Sequence, residues 1–321
     1  MKNGVFDICD EYNRRFKTLR VSLTNNCNLG CTYCVPLGEK NVNKKNGNIL
    51  NVENLTIAVR TLHDMLQLNT VRLTGGEPLL YPELIPFIKA IKKINIPNIK
   101  MTTNGYTLAG KAKDLKAAGL TGINISLDAV ERNAFYIISR RKNLSKILEG
   151  IDHSIDAGLR VKINCVLMKG VNDHQIIPLF RYAMDKNIPI RFLELMKMGH
   201  LHNNYQHYLF TQAEILEVLS NEFSFSSLKR TPGSTANYWH LPGGYEFGII
   251  ANESEPFCND CDRLRLDSYG NIFGCLSSNT ALNITECLHD KKKLGNQLQR
   301  ALHHKKTKFY GSGLSMKSIG G

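Results

Sequence analysis

The sequence predicts an α/β fold: a partial, open barrel of six parallel strands with intervening helices, followed by a smaller C-terminal extension. Three observations predict it. Between Leu19 and about Met196, six β-like runs alternate with five helical stretches, the pattern of βαβ units and a parallel sheet. Within those runs one face is repeatedly polar and often cationic, whereas strands buried on both faces read as continuous Val, Ile and Leu. After about residue 200 the alternation stops. The count alone fits a barrel or a doubly wound sheet. A polar interior favours an open barrel that holds a polar ligand.

The runs LRVSLT, TVRLTGG, NIKMTTNG, GINISLD, RVKINCVLM and IPIRFLELM are the strands. In the first, Arg20, Ser22 and Thr24 alternate with Val21 and Leu23; in the second, Arg72 and Thr74 alternate with Val71 and Leu73. Lys100, Thr102 and Asn104 share a face, as do Asn124, Ser126 and Asp128, and Lys162 with Asn164, because side chains repeat every second residue. Strand six breaks the pattern, since Arg191 shares parity with Leu193 and Leu195. Between the strands, about 51–67, 82–94, 108–118, 143–157 and 173–186 carry helical apolar spacing. The segment 199–252 has scattered aromatics and Gly/Pro turns. We divide the chain into a barrel domain, 1–224, and a C-terminal region, 225–321.

Composition narrows the function. The chain has 321 residues, 42% hydrophobic and 21% charged, which is ordinary globular composition. No run of 18 apolar residues exists, and MKNGVFDICDEYNRRF has no apolar signal core, so a cytoplasmic protein without a membrane partner is expected. There, nine cysteines point to metal or catalysis rather than disulfides. The net charge of +13 favours an anionic partner: nucleic acid, a phosphorylated small molecule or an acidic surface.

The cysteines form two sets. Cys27, Cys31 and Cys34 follow the first strand at spacing C-x3-C-x2-C, with Tyr33 before the last. Three thiolates suit a [4Fe–4S] cube whose fourth iron stays open; the bland alternative is a zinc knuckle with a distant fourth ligand. Cys258, Cys261 and Cys275 form the second set, again with no nearby fourth cysteine. Between them, Arg263 and Arg265 lie two apart, so in an extended segment they point the same way and could clamp a triphosphate.

The first set together with GGEP, Gly75–Pro78, at the end of the second strand resembles the radical S-adenosylmethionine (SAM) superfamily. C-x2-C-x-R-x-R-L, Gly270 before CL, and a chain ending IGG resemble one family in it, the GTP 3′,8-cyclases of molybdenum cofactor biosynthesis. The resemblance runs from about Phe16 to Gly321. It implies a partial six-stranded barrel, two [4Fe–4S] clusters, SAM as co-substrate and GTP as substrate. The first cluster would cleave SAM to a 5′-deoxyadenosyl radical. That radical would take the ribose C3′ hydrogen of GTP, and C3′ would then attack guanine C8. The product would be (8S)-3′,8-cyclo-7,8-dihydroguanosine triphosphate. The resemblance assigns SAM contacts to Tyr33, Gly76, Ser126 and Met196. It assigns GTP contacts to Arg20, Arg72, Thr102, Lys162, Arg263, Leu264 and Arg265, with Arg191 a weaker candidate. Gly320 and Gly321 would enter the active site. An electron donor, a downstream cyclic pyranopterin monophosphate synthase and a monomeric or homodimeric state are further expectations.

This chain departs from the family pattern in three places. Asn25-Asn26 precede the first cysteine where the family often has Asp-Arg, Val35-Pro36 follow the third where it has Met-Pro, and Thr70 replaces a basic residue. Cys165 reads as a buried thiol, Cys9 and Cys287 lack partners in sequence, and the histidines His200, His202 and His207 read as solvent-facing. Lys291–Lys293 and Lys305–Lys308 read as solvated faces. Two other readings compete: a radical SAM peptide-maturing enzyme with an auxiliary cluster, and a basic zinc protein that binds nucleic acid. The second would need stacking aromatics among its basic patches, which the cysteine regions lack.

Overall fold

The computed structural model describes residues 8–38, 49–303 and 305–319. The strands are β1 (Thr18–Ser22), β2 (Thr70–Thr74), β3 (Asn98–Thr103), β4 (Gly122–Ser126), β5 (Arg160–Leu167) and β6 (Ile190–Glu194), then β7 (Ser226–Leu228), β8 (Asn237–His240), β9 (Glu246–Ile250), β10 (Arg263–Asp267), β11 (Asn271–Phe273) and β12 (Leu282–Asn283). They form one sheet in the order β12-β11-β10-β1-β2-β3-β4-β5-β6-β9-β8-β7. The first six are parallel neighbours in chain order, as the alternation requires.

The C-terminal region is not a separate layer. β10 adds parallel to β1 and β9 adds parallel to β6, so both open edges of the six-stranded run are covered. Edge strands expose unpaired amides and carbonyls, which these additions satisfy. The run RLRLD of β10 alternates polar and apolar residues, and its Leu264 and Leu266 are fully buried.

Helices fill the crossovers: α1 (Val52–Leu66), α2 (Leu84–Lys92), α3 (Ala112–Ala118), α4 (Arg132–Ser139), α5 (Leu144–Asp156) and α6 (Ile176–Asp185). In α1, Asn51 caps the N-terminus by accepting the Asn54 amide at 2.8 Å. Its Leu55, Ala58, Val59, Leu62 and Leu66 recur at helical spacing and are buried, each large side chain contributing about 1.5–3 kcal/mol. The apolar strand faces, Leu19, Val21, Val71, Leu73, Ile123 and Ile163 among them, pack into the same core. Helix α4 has no counterpart in the sequence reading. Its stripe of Ala134, Phe135 and Ile138 spans two turns, too short for periodicity to separate from a loop.

A candidate active site between two cysteine trios

The first trio lies in the loop after β1, and α4 holds that loop. The Gly30 and Thr32 amides donate to the Ser139 and Ile138 carbonyls at 3.1 and 2.9 Å. The Arg140 guanidinium donates to the carbonyls of Val35 at 2.9 Å and Pro36 at 3.1 Å, and Arg141 donates to that of Asn28 at 2.8 Å. From the end of β3, the Asn104 side-chain amide donates to Asn28 Oδ1 at 2.7 Å and to Cys27 Sγ at 3.7 Å.

GGEP packs directly beneath. A Cβ on Gly75 would collide with the Thr24 carbonyl, and one on Gly76 with that of Asn26, so only glycine permits this approach. The Gly76 and Glu77 amides donate to those carbonyls at 2.6 and 2.7 Å. Glu77 is buried, and its carboxylate accepts from Thr103 Oγ1 at 2.5 Å and from the Asn104 and Leu79 amides at 2.7 and 3.0 Å. Sequence reasoning missed Glu77 as the fastener between GGEP and TTNG; an acid between Gly-Gly and Pro at a strand end was the available signal.

Tyr33 turns its hydroxyl to Asp128 Oδ2 at 3.0 Å, and Asp128 Oδ1 accepts the Val166 amide at 2.8 Å. Ser126, at the end of β4, is level with Asn164 on β5. Met196, past β6, packs with Met198, Phe273 and Ile319. Burial pushes the Cys27 thiol up to about 11 and those of Cys31 and Cys34 upward as well. Three enclosed thiols of this kind suit metal ligation, which replaces their protons with iron. Among the described residues, no three His, Cys, Asp or Glu side chains converge on a single metal ion.

Strand registers assemble one polar face. Arg265 of β10, Arg20 of β1, Arg72 of β2 and Lys100 of β3 stand level, and Arg263 lies two residues before Arg265. Two residues along β3, Thr102 is level with Asn124 and Lys162. Asn164 is level with Arg191. Arg191 therefore belongs to this face, despite its parity with leucines, and donates to Asn164 Oδ1 at 2.7 and 3.0 Å. Arg72 donates to Thr102 Oγ1 at 3.4 Å, and Lys162 to the Tyr238 hydroxyl at 3.3 Å. Tyr238, on β8, was not singled out from sequence. Leu264 has the opposite parity and its side chain lies in the core. Burial, then the charges of Arg265, Arg72, Arg263 and Arg191, push the Arg20 guanidinium far down. Burial and the neighbouring arginines push Arg72 down to about 9 and Lys100 down to about 8.

The second trio sits at the other end of these strands. Cys258 and Cys261 precede β10, whose first residue is level with the first of β1, and Cys275 follows β11, which runs back along β10. The cationic face thus lies between the trios, along strands of five residues, roughly 16 Å at ~3.3 Å per residue. The Arg14 guanidinium, bonded to buried Asp10, donates to the Cys258 carbonyl at 2.5 Å. Arg263 donates to the Gly233 carbonyl and to Cys261 Sγ, the latter at 3.5 Å, with its guanidinium 5.0 Å from the Phe257 ring centroid. Burial pushes the Cys258 thiol up to about 11; Cys261 is buried too, but Lys305 and Arg263 outweigh that and lower it. Lys305 corrects one expectation: it is not on a solvated face but buried against the second trio. A single buried position inside a charge run carries no periodic signal. Cys165 is buried as expected.

The C-terminal tail crosses the same space. Ser315 and Lys317 hydrogen-bond Cys34. Ile319 is buried, and its carbonyl accepts from Arg265 at 3.3 Å. Gly320 and Gly321 lie outside the described residues.

Comparison with known proteins adds the following. Residues 21–183 match the radical SAM superfamily model and residues 188–311 the Molybdenum Cofactor Synthesis C model. A protein of Staphylococcus epidermidis named GTP 3′,8-cyclase is 38% identical over 276 residues, 84% of this chain and 81% of that protein. One of Campylobacter fetus with the same name is 35% identical over 304 residues, 94% and 93% of the two chains. Among solved structures, Streptococcus suis SuiB bound to S-adenosylmethionine is similar at a TM-score of 0.65 and 15% identity, covering 91% of this chain and 68% of that one. Native anSMEcpe with bound AdoMet is similar at a TM-score of 0.60 and 16% identity, covering 88% of this chain and 82% of that one. At these identities the structural likeness is one of fold.

Proposed function

The chain belongs to the GTP 3′,8-cyclases of the radical SAM superfamily, and from that membership we propose how its residues divide the reaction. It is a radical SAM cyclase of molybdenum cofactor biosynthesis that acts on GTP and uses a [4Fe–4S] cluster with SAM. The relatives' identity sets aside the peptide-maturing alternative.

Cys27, Cys31 and Cys34 hold the first cluster. With SAM bound it would supply the radical that takes the ribose C3′ hydrogen; joining C3′ to guanine C8 would then need one electron and one proton to complete the dihydro product. Gly76 presents backbone close to the loop because nothing projects from it, and Glu77 fixes that backbone against β3. Tyr33, Ser126 and Met196 line the SAM side. Cys258, Cys261 and Cys275 would hold a second [4Fe–4S] cluster, which would offer an iron without a protein ligand to the guanine.

The six parallel strands form the wall of an open barrel around GTP. A concave sheet would bring Arg191 of β6 toward Arg20 of β1, in keeping with its share in lowering the Arg20 guanidinium. Arg20, Arg72, Thr102, Lys162, Arg191, Arg263 and Arg265 then surround the triphosphate. The single observation that carries the reading is this cationic face between the two trios: its charges oppose one another until a polyanion enters. Residues 1–224 serve the SAM half and 225–321 the second cluster and tail. Nine cysteines, none of them in a disulfide, suit a cytoplasmic setting, and no helix among the described residues is long and apolar enough to cross a membrane. An electron donor and a downstream synthase complete the sequence.

The test is anaerobic incubation with SAM, a reductant and GTP deuterated at C3′. Deuterium should appear in 5′-deoxyadenosine and the 3′,8-cyclised triphosphate should accumulate. Deuterium retained in GTP while SAM is cleaved overturns the assignment. Reconstituted protein should hold about eight irons, and about half that after Cys258, Cys261 and Cys275 are changed to Ala.

A further inference from the structure

Lys305 is 2% exposed. Its ammonium donates to the carbonyls of Arg263 and Gly274, each at 2.9 Å, and to Cys261 Sγ at 3.4 Å. The Phe16 ring closes the fourth side, 5.0 Å from ammonium to centroid. An ammonium has three donors, and here all three are used. Their targets belong to three arms of one site: Cys261 itself, the first residue of β10, and the residue before Cys275. Gly274 is held from behind as well, because a Cβ there would strike the Ala301 carbonyl of the helix Lys291–His303.

Enclosing an ammonium costs several kcal/mol unless an anion balances it. Two of these partners are neutral carbonyls and one is an aromatic ring. The remaining partner is a cysteine sulfur, and a cube held by three thiolates is a net anion. We infer that Lys305 is a positioning residue of the second cluster: it clamps the arms bearing Cys261 and Cys275 and donates a charged hydrogen bond to a ligating sulfur. Hydrogen bonds to sulfur and nearby positive charge stabilise the reduced cluster and raise its potential. Lys305 contributes both from one atom. The inference rests on the second-cluster reading above.

The test uses the full-length chain with Cys27, Cys31 and Cys34 changed to Ala, so that only the second cluster reports. Iron content is measured first: a parent chain without iron overturns the second cluster itself, before any change at Lys305. Redox titration followed by electron paramagnetic resonance then compares Lys305→Met and Lys305→Arg. Lys305→Met keeps the stem and loses the charged donor. At the parent's midpoint its reduced-to-oxidised ratio should fall about tenfold, the size of one charge-assisted hydrogen bond. Lys305→Arg should stay within about threefold. Loss of iron in Lys305→Met with retention in Lys305→Arg also supports the clamp. A Lys305→Met chain with full iron and an unchanged midpoint overturns the inference, as does an equal fall in both variants.

Discussion

The Tyr33 hydroxyl and the Asp128 carboxylate meet at 3.0 Å, joining the first cysteine loop to the end of β4. Asp128 is buried and held on its other oxygen by the Val166 amide, so β5 enters the same joint. Tyr33→Phe keeps the ring and removes the joint. A buried carboxylate that loses a donor costs about 1–3 kcal/mol. Iron should therefore leave the first site roughly tenfold faster under a chelator, while the second site releases iron at its normal rate. Equal release from wild type and variant would separate the hydroxyl from loop retention.

Glu77 sets a pH dependence. Burial lifts its carboxyl from 4.5 to about 7, against the hydrogen bonds from Thr103, Asn104 and Leu79. A folded-state value above the unfolded one means that the protonated carboxyl favours folding. That contribution is complete below about 4.5 and is lost as pH rises through about 7. Asp128, lifted to about 6 by burial, acts in the same direction. In Glu77→Gln the side chain no longer titrates, so stability against pH should be flatter between these values. It should also be lower throughout by about 1–3 kcal/mol, because the new amide nitrogen faces the Asn104 N–H. Thermal unfolding across this range checks both, and parallel curves would remove Glu77 from the pH response.

Arg265 and Arg263 separate two effects that sequence spacing joined. Arg265 is buried on the cationic face, level with Arg20. Arg263 also braces the second trio through Gly233, Phe257 and Cys261. Arg265→Ala should weaken GTP binding about ten- to a hundredfold with both iron sites full, and Arg265→Lys should rescue it poorly. Arg263→Ala should weaken GTP binding and lose iron from the second site together. Calorimetric titration and iron assay read the two quantities. Wild-type GTP affinity in Arg265→Ala would take it out of the clamp.

The parity of the first five strands was legible because one face is polar for function while the other packs on helices. Arg20, Arg72, Thr102 and Lys162 could thus be assigned to polar strand faces before any register was known, and the parallel strand register puts them on one face. What stayed hidden depends on long-range contact. Nothing local in RLRLD says that β10 lies beside β1, because that pairing joins residues 245 apart, Thr18 to Arg263. Arg191 broke the alternation for the same reason: Leu193, two residues on, is level with Ile250 of β9, a strand within the segment that reads in sequence only as scattered aromatics and turns. Lys305 looked like one more solvated charge, and only the positions of Gly274, Arg263 and Cys261 show otherwise.

The last expectation concerns the end of the chain. Terminal segments are commonly frayed and dispensable. This one is tied down step by step. The Ser312 amide donates to the Lys197 carbonyl at 3.0 Å, and the Gly199 amide to the Ser312 carbonyl at 3.1 Å. Gly311 takes φ of 81° and a Cβ there would meet the Lys197 carbonyl, so glycine permits this entry. Ser315 and Lys317 then reach Cys34, and Arg265 holds the Ile319 carbonyl. The tail therefore passes from the first cysteine loop to the cationic face before its last two residues begin. The family resemblance would bring Gly320 and Gly321 into the active site, where residues without side chains leave room for substrate. Their role would be to keep GTP and Arg265 in a reactive pose, and a small misplacement there costs about a hundredfold in rate. Deleting both glycines should lower cyclisation by about that factor. Iron content, SAM cleavage and most GTP affinity should persist, since the groups assigned to them lie elsewhere. Changing both to Ala should act in the same direction. A truncated enzyme that cyclises GTP at the wild-type rate would return these two residues to an ordinary frayed end.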